Sequence, residues 1–222
     1  IICFILCAIL PLLILGTISY KISYNIAKDK ILKETAISCE KNQHLLENRM
    51  TQIENLEDSI HFNLCMLCTT AEQPMSNYLD KLSAVRNNIA SIADSFNIYH
   101  VNIFLPDDSF ASKEGLTFCS LSDLKKYKVQ LSDFSKQGLT PNWIFRKDIN
   151  FPYMVSKGEE PSGVLSCYRY AKINSQKTCL AVHITSEELS NYLNTFSEGN
   201  PSLSYIINSE GVVLSSTDKK QI

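Results

Sequence analysis

The sequence predicts an α+β protein tethered to a membrane. Three observations carry this expectation: an uncharged apolar run over residues 1–20, a helical pattern free of Gly and Pro from there to Gln73, and strand periodicity from residue 98. The 222 residues suffice for an anchor, a stalk and one ordinary domain. The expected division is a transmembrane helix over 1–20, a long stalk or spine helix over 21–73, a main module over 74–196 and the truncated start of a second module over 197–222. A formal net charge of -2 leaves no basic stripe, so nucleic acid is not an expected partner. Apolar residues at 45% and aromatics at 9% support a packed core and argue against disorder.

The apolar run, which includes IICFILCAILPLLILG, approaches the roughly twenty residues that a helix needs to cross a bilayer core. It reads as an anchor. A cleaved signal peptide is the alternative, with Thr17-Ile18-Ser19 as a small-x-small site, but its apolar region is usually only about 7 to 15 residues long. Lys21, Lys28, Lys30 and Lys33 come after the run and by the positive-inside rule favour a cytoplasmic continuation. The opposite flank is missing, because the chain begins at Ile1 without Met, so charge alone leaves orientation open.

In the stalk, apolar residues recur every seven positions at Leu32, Cys39, Leu46, Ile53, Ile60 and Leu67, and Ala36, Met50, Leu56 and Leu64 widen the stripe. A helix of this extent is about 75 to 80 Å long, more than a small domain's width. Gln43 and Glu57 interrupt the stripe, which predicts that one portion packs on a domain and is not free coiled coil. Pro74 ends the helix. A second helix over 76–96 carries two heptad series, Tyr78, Val85, Ile92 and Leu82, Ile89, Phe96, and the short turn makes the two helices antiparallel neighbours.

Residues 98–105 (IYHVNIFL) read as a strand closed by the Pro106-Asp107-Asp108 turn. Residues 118–120 form a short strand. Ser122 can cap a third helix bearing Leu124, Tyr127, Leu131 and Phe134, with Gly138 at its end. The stretch 138–152 reads as irregular and holds Trp143. Strands over 153–157, 164–171 and 179–184 are expected as an antiparallel meander. Thr185 and Glu188 have capping-box spacing and open a helix with Leu189, Tyr192, Leu193 and Phe196. Last, 203–208 and 212–216 form a hairpin around Gly211. Two strands alone are marginal in water, so the hairpin opens a module that the chain is not expected to complete. The sequence is therefore expected to be cut at both ends.

This order of elements, with the stretches NIYHVNIFLPDD, FCSLSDLKKY, Trp143, VLSCYRYA, CLAVHITSEELSNYL and SYIINSEGVVLSS, resembles the extracellular double Cache sensor of bacterial receptors, especially YesM-like sensor histidine kinases. The resemblance covers nearly the whole chain and rests on order and spacing. It implies a PAS-like Cache domain, an antiparallel sheet flanked by helices, with a second such module nearer the membrane. It also implies a bacterial cytoplasmic membrane location with residues after about 20 extracellular, a homodimer through the stalk helices, and a cognate response regulator reached through a cytoplasmic part. No H-box or nucleotide loop stands in these residues, so the parent protein's kinase chemistry would lie outside them. A chemoreceptor, a diguanylate cyclase or a membrane-anchored AraC-type regulator can own the same region. A membrane-anchored coiled-coil scaffold without ligand is the alternative from another class.

For an unknown small-molecule or peptide ligand, the candidates are Trp143, Arg146, Tyr153, Tyr168 and Arg169, an aromatic wall with a carboxylate or hydroxyl clamp. Along the strand 164–171, Ser166, Tyr168 and Tyr170 face one way and Cys167 and Arg169 the other, so they cannot all line one pocket. A fold-holding role for Trp143 and Arg169 competes with the ligand role. His61, Cys65 and Cys68 share a helix face at i, i+4 and i+7, a ligand set that zinc accepts with a fourth donor. Packing beside the apolar stripe is the favoured reading, and no metal or other cofactor is expected. The eight cysteines, Cys3, Cys7, Cys39, Cys65, Cys68, Cys119, Cys167 and Cys179, show no disulfide framework and read as small thiols. His100 and His183 lie in strand patterns without a nucleophile motif, so no catalytic residues are expected.

Overall fold

The structure, a computed structural model, describes residues 2–68, 75–109, 111–113, 117–125, 141–147, 161–173, 176–196 and 204–217. The chain divides into two compact units, Ile1–Asn48 and Arg49–Ile222.

Helix α1 spans Ile2–Cys68. Within the first unit every described side chain from 9 to 41 is exposed, including Leu12 at 68%. The apolar start of α1 is long and apolar enough to cross a membrane. The Thr17 hydroxyl donates to the Leu13 and Ile14 carbonyls of its own helix, both at 2.9 Å. A hydroxyl in lipid has no water to turn to, so a bond inside the helix removes the cost.

In the second unit, Ile53, Leu56, Ile60 and Leu64 of α1 are buried at helical spacing. Helix α2 runs over Met75–Ser95. It ends in a Schellman cap, in which Ile98 N–H donates to Ala93 O at 2.8 Å and Asn97 takes a left-handed φ of 49°. The Arg49 guanidinium donates to Phe96 O and lies 5.7 Å over the Phe96 ring. That contact places the end of α2 beside the start of the buried part of α1, the ends that antiparallel neighbours bring together, while the expected turn between the helices lies outside the described residues.

Strands β1 (His100–Leu105), β2 (Phe118–Ser120), β3 (Asn142–Arg146), β4 (Val164–Ile173) and β5 (Gln176–Thr185) form one five-stranded sheet in the order β2-β1-β5-β4-β3. The sheet departs from the expected one in two respects. The sheet is mixed and not antiparallel throughout, because β1 and β2 run parallel. The connection over 106–117, which includes a 3-10 turn at Ala111–Lys113, is long enough to bring the chain back to the same end of the sheet. Second, the strand beside β4 is β3, within the stretch read as irregular. Its five residues are too few to show a period, and its pairing is with residues some twenty positions on. The strand expected at 153–157 lies outside the described residues. Of the third helix, a 3-10 turn at Leu121–Lys125 is described; Tyr127, Leu131 and Phe134 lie outside.

Helix α3 (Ser186–Phe196) follows β5 directly, capped by Thr185 Oγ1, which accepts from Glu188 N–H at 3.1 Å. Strands β6 (Tyr205–Ile207) and β7 (Val213–Ser216) make the expected hairpin. Gly211 has φ +81°, and Asn208 Oδ1 accepts from Glu210 and Val212 N–H at 3.0 and 2.8 Å. Buried serines fasten α3 to β7: Ser186 Oγ donates to Leu214 O, Ser190 Oγ to Ser216 O and Ser215 Oγ to Ser186 O, at 2.9, 2.7 and 2.9 Å. Each hydroxyl satisfies a carbonyl that burial would otherwise penalise.

Gly163 sits where β4 meets this junction. A Cβ there would lie 2.6 Å from the Phe145 ring and 2.8 Å from Ser186 Oγ. Gly163→Ala is expected to lower stability by about 1 to 3 kcal/mol through overpacking. Urea unfolding measures it, and an unchanged midpoint would show that the Phe145 ring moves aside without cost.

Candidate functional site

Alternation along β4 sorts the sheet into two faces. Leu165, Cys167 and Arg169 pair across to Ile184, Val182 and Leu180 of β5, and Cys167 pairs with Trp143 of β3. This face meets α1. Cys167 Sγ–H donates to Glu57 Oε2 at 3.5 Å, Trp143 Nε1–H donates to Glu54 Oε1 at 3.0 Å, and Arg169 Nε lies 3.3 Å from Glu57 Oε2. Arg169 also pairs with the Asp58 carboxylate and donates to Glu54 O at 3.3 Å. One turn of helix thus offers Glu54, Glu57 and Asp58 to a single guanidinium and an indole.

The electrostatics of this cluster are set by depth. Glu57 is fully buried, while Asp58 keeps its side chain 64% exposed. Two influences on Glu57 oppose each other: loss of hydration favours the neutral acid, and Arg169 favours the carboxylate. Burial prevails, since Asp58 already engages the same guanidinium, and the Glu57 carboxyl is pushed up to about 8. Among the described residues, the buried Glu57 Oε1 has no hydrogen-bond partner. Burial, with the Glu57 carboxyl beside it, also drives the Cys167 thiol upward, so it stays protonated.

The opposite face carries Phe104, Cys119, Val164, Tyr168, Cys179 and Ala181 as a buried cluster with Leu124. A polar chain crosses it through three strands. His183 Nε2 lies 3.0 Å from Asn102 Oδ1, and its Nδ1 lies 2.7 Å from Ser166 Oγ. Because Asn102 Oδ1 only accepts, His183 carries its proton on Nε2 and Ser166 donates to Nδ1. Asn102 Nδ2 in turn donates to Cys119 Sγ at 3.5 Å. Complete burial, with His100 nearby, holds the His183 imidazole well below its usual range, and it is neutral. Burial pushes the Tyr168 phenol up to about 12. Asn102, Ser166 and His183 are all buried, so the hydroxyl–imidazole contact ties β1, β4 and β5 together and presents no nucleophile to solvent.

The structure therefore separates the candidate ligand residues. Trp143 and Arg169 lie on the α1 face and are occupied by its carboxylates. Arg146, which pairs with Val164, and Tyr168 lie on the other face. Tyr153 is outside the described residues. For the candidate metal set, His61 Nε2 is 3.8 Å from Cys65 Sγ, and the Cys68 side chain lies outside the described residues. Among the described residues, no three or more His, Cys, Asp and Glu groups are placed to hold a metal.

Sequence reasoning did not single out Glu57, Asn102, Ser166 or His183 as site residues. The signal for Glu57 was present as a carboxylate inside an apolar stripe, and for His183 as an imidazole inside CLAVHI. Each was legible as a polar group in an apolar setting but not as a buried one, because the partner that makes burial tolerable is 112 and 81 positions away respectively. Comparison with family models, curated proteins and solved structures finds no match.

Proposed function

We propose that this chain is the extracytoplasmic ligand-sensing region of a membrane-bound receptor, of the two-component histidine kinase type that the sequence resembles. The observation that carries the reading is α1 itself. The helix that begins with a membrane-length apolar segment also supplies the turn, Glu54 to Asp58, that is tied to β3 and β4. A ligand that favours one arrangement of the sheet would then bias the seating of a membrane-rooted helix, which is what a transmitter requires. A five-stranded sheet with a helix seated on one face, and a following hairpin fastened through α3, support a PAS-like sensor module, although the parallel β1–β2 pair departs from the antiparallel sheet that the resemblance implied. Homodimerisation through the exposed stripe of Leu32 and Cys39, and a response regulator served by a cytoplasmic part, belong to the same proposal.

A thermal-shift screen of the full chain in detergent tests it, against sugars, amino acids, organic acids and peptides. Binding to the folded state alone stabilises by about 2.7 kcal/mol at a hundredfold excess over the dissociation constant. A clear rise in Tm with one chemical class supports a sensor and identifies its signal. A well-folded protein that responds to no class argues for the scaffold alternative.

A further inference from the structure

Glu57 stands out because nothing about an anchor, a stalk or a ligand pocket demands it. It occupies a core position of α1 between Ile53 and Ile60, both fully buried, where an aliphatic residue would pack without cost. Its surroundings are unusual in being rich in charge and short of compensation. Arg169 Nε is 3.3 Å from Oε2, yet the same guanidinium is shared with the exposed Asp58. Among the described residues Oε1 has no hydrogen-bond partner, the neighbouring Cys167 is a thiol that donates at 3.5 Å, and Glu54 is held by the Trp143 indole. Among the described residues, the charged and titratable groups that interact with Glu57 are Glu54 and Asp58 from α1, Cys167 and Arg169 from β4, and the buried Cys179 thiol of β5. Two carboxylates and one cation accompany it, so a further negative charge on Glu57 is not neutralised on site.

We propose that the turn Glu54–Asp58 of α1 and Arg169 of β4 form a proton-operated clasp, which seats α1 on the sheet when Glu57 carries a proton and loosens it when the proton leaves. The proton is the ligand of this device and the α1–β4 contact is what it controls. Seated, Glu57 is dry; unseated, it is hydrated and ionises as an ordinary carboxylate. The seated form therefore binds the proton more tightly, and by linkage each proton lost favours the unseated form. Seating is consequently strongest in acid, weakens as pH rises from near the ordinary carboxylate value of 4.5, and levels off once Glu57 has ionised in the seated form, near 8. Within that window the unseating equilibrium grows by up to about tenfold per pH unit. Because the clasp needs no bound molecule other than a proton, a ligand screen that finds nothing leaves it standing.

Amide hydrogen exchange on the full chain in detergent micelles, corrected for intrinsic rates, reads the clasp between pH 5 and 9. In the wild type, protection of the amides of Ile53, Ile60 and Leu64 is expected to fall by up to about tenfold per unit from pH 5 to 8 and to level off above, while β5 amides at Leu180 and Val182 change less. Glu57→Gln keeps the shape and cannot ionise, so its α1 protection should not depend on pH. Asp58→Asn, at a position whose side chain is 64% exposed, frees Arg169 for Glu57 and should end the fall at a lower pH. Equal pH dependence in wild type and Glu57→Gln would overturn the clasp. So would an α1 response identical to that of β5, since it would mean global destabilisation, or an Asp58→Asn profile superimposed on the wild type. Should Glu57→Gln fail to fold, the Asp58→Asn comparison decides alone.

Discussion

Phe104→Ala is expected to lower stability by about 3 to 5 kcal/mol, the range for removing a buried aromatic ring from a packed core. Phe104 is 1% exposed and packs with Cys119, Leu124, Val164, Tyr168, Cys179 and Ala181 on the sheet face away from α1. Against a typical domain stability of about 5 to 15 kcal/mol, a loss of this size leaves the protein marginal at ambient temperature. Urea denaturation monitored at Trp143 reads it as a lower midpoint with an unchanged slope. The result also bears on the sensor reading. A loss under about 1 kcal/mol would mean that this face is not closed around Phe104 and that the ring borders open space, the kind of space a ligand occupies.

The second large effect is expected from His183→Leu. The imidazole is the middle of a buried chain, donating from Nε2 to Asn102 and accepting at Nδ1 from Ser166. Leucine takes a partner from both groups while leaving them buried, at about 1 to 3 kcal/mol for each group that finds no replacement. With both groups left unpaired, the expected loss at about pH 7.5 is therefore roughly 2 to 6 kcal/mol. The pH dependence should change as well. His183 is held below its ordinary value of 6.5, chiefly by burial and then by His100, so under acid conditions the unfolded chain binds a proton that the folded chain refuses. Its contribution is complete above about 6.5 and is lost as pH falls, with a limiting slope of about 1.4 kcal/mol per unit. In His183→Leu this acid loss should be absent. If the variant and the wild type lose stability in parallel below about pH 6.5, another group is responsible and the neutral buried imidazole is refuted.

These two titrations run in opposite directions. Acid weakens the fold through His183 and strengthens the α1 contact through Glu57. A protein with both groups is expected to be most stable in a middle range, and each variant removes one flank.

The residues that were easiest to read were those governed by local rules. The Thr185 cap and the Gly211 turn each involve groups within a few positions of one another, so spacing announces them. Candidate-site residues were harder. Arg169 was legible as a charge within a strand, with a fold-holding ion pair as one of its two readings, but its carboxylates lie more than a hundred positions earlier on α1. Trp143 shared that ambiguity, and its indole bonds to Glu54 across 89 positions.

From the sequence alone came the α+β class, the apolar helix at the start, the stripe that seats α1, the β4–β5 pair and the final hairpin. Each arises from periodicity and turn chemistry, which a single segment displays without reference to any other. Tertiary structure decided the parallel pairing of β1 with β2, the strand at Asn142–Arg146, and the division of Trp143 and Arg169 from Arg146 and Tyr168. It also decided that Glu57 and His183 are buried with partners rather than exposed to water. The reason is physical: strand pairing and the cost of burying a polar group depend on which distant segment lies alongside, and no local pattern records that.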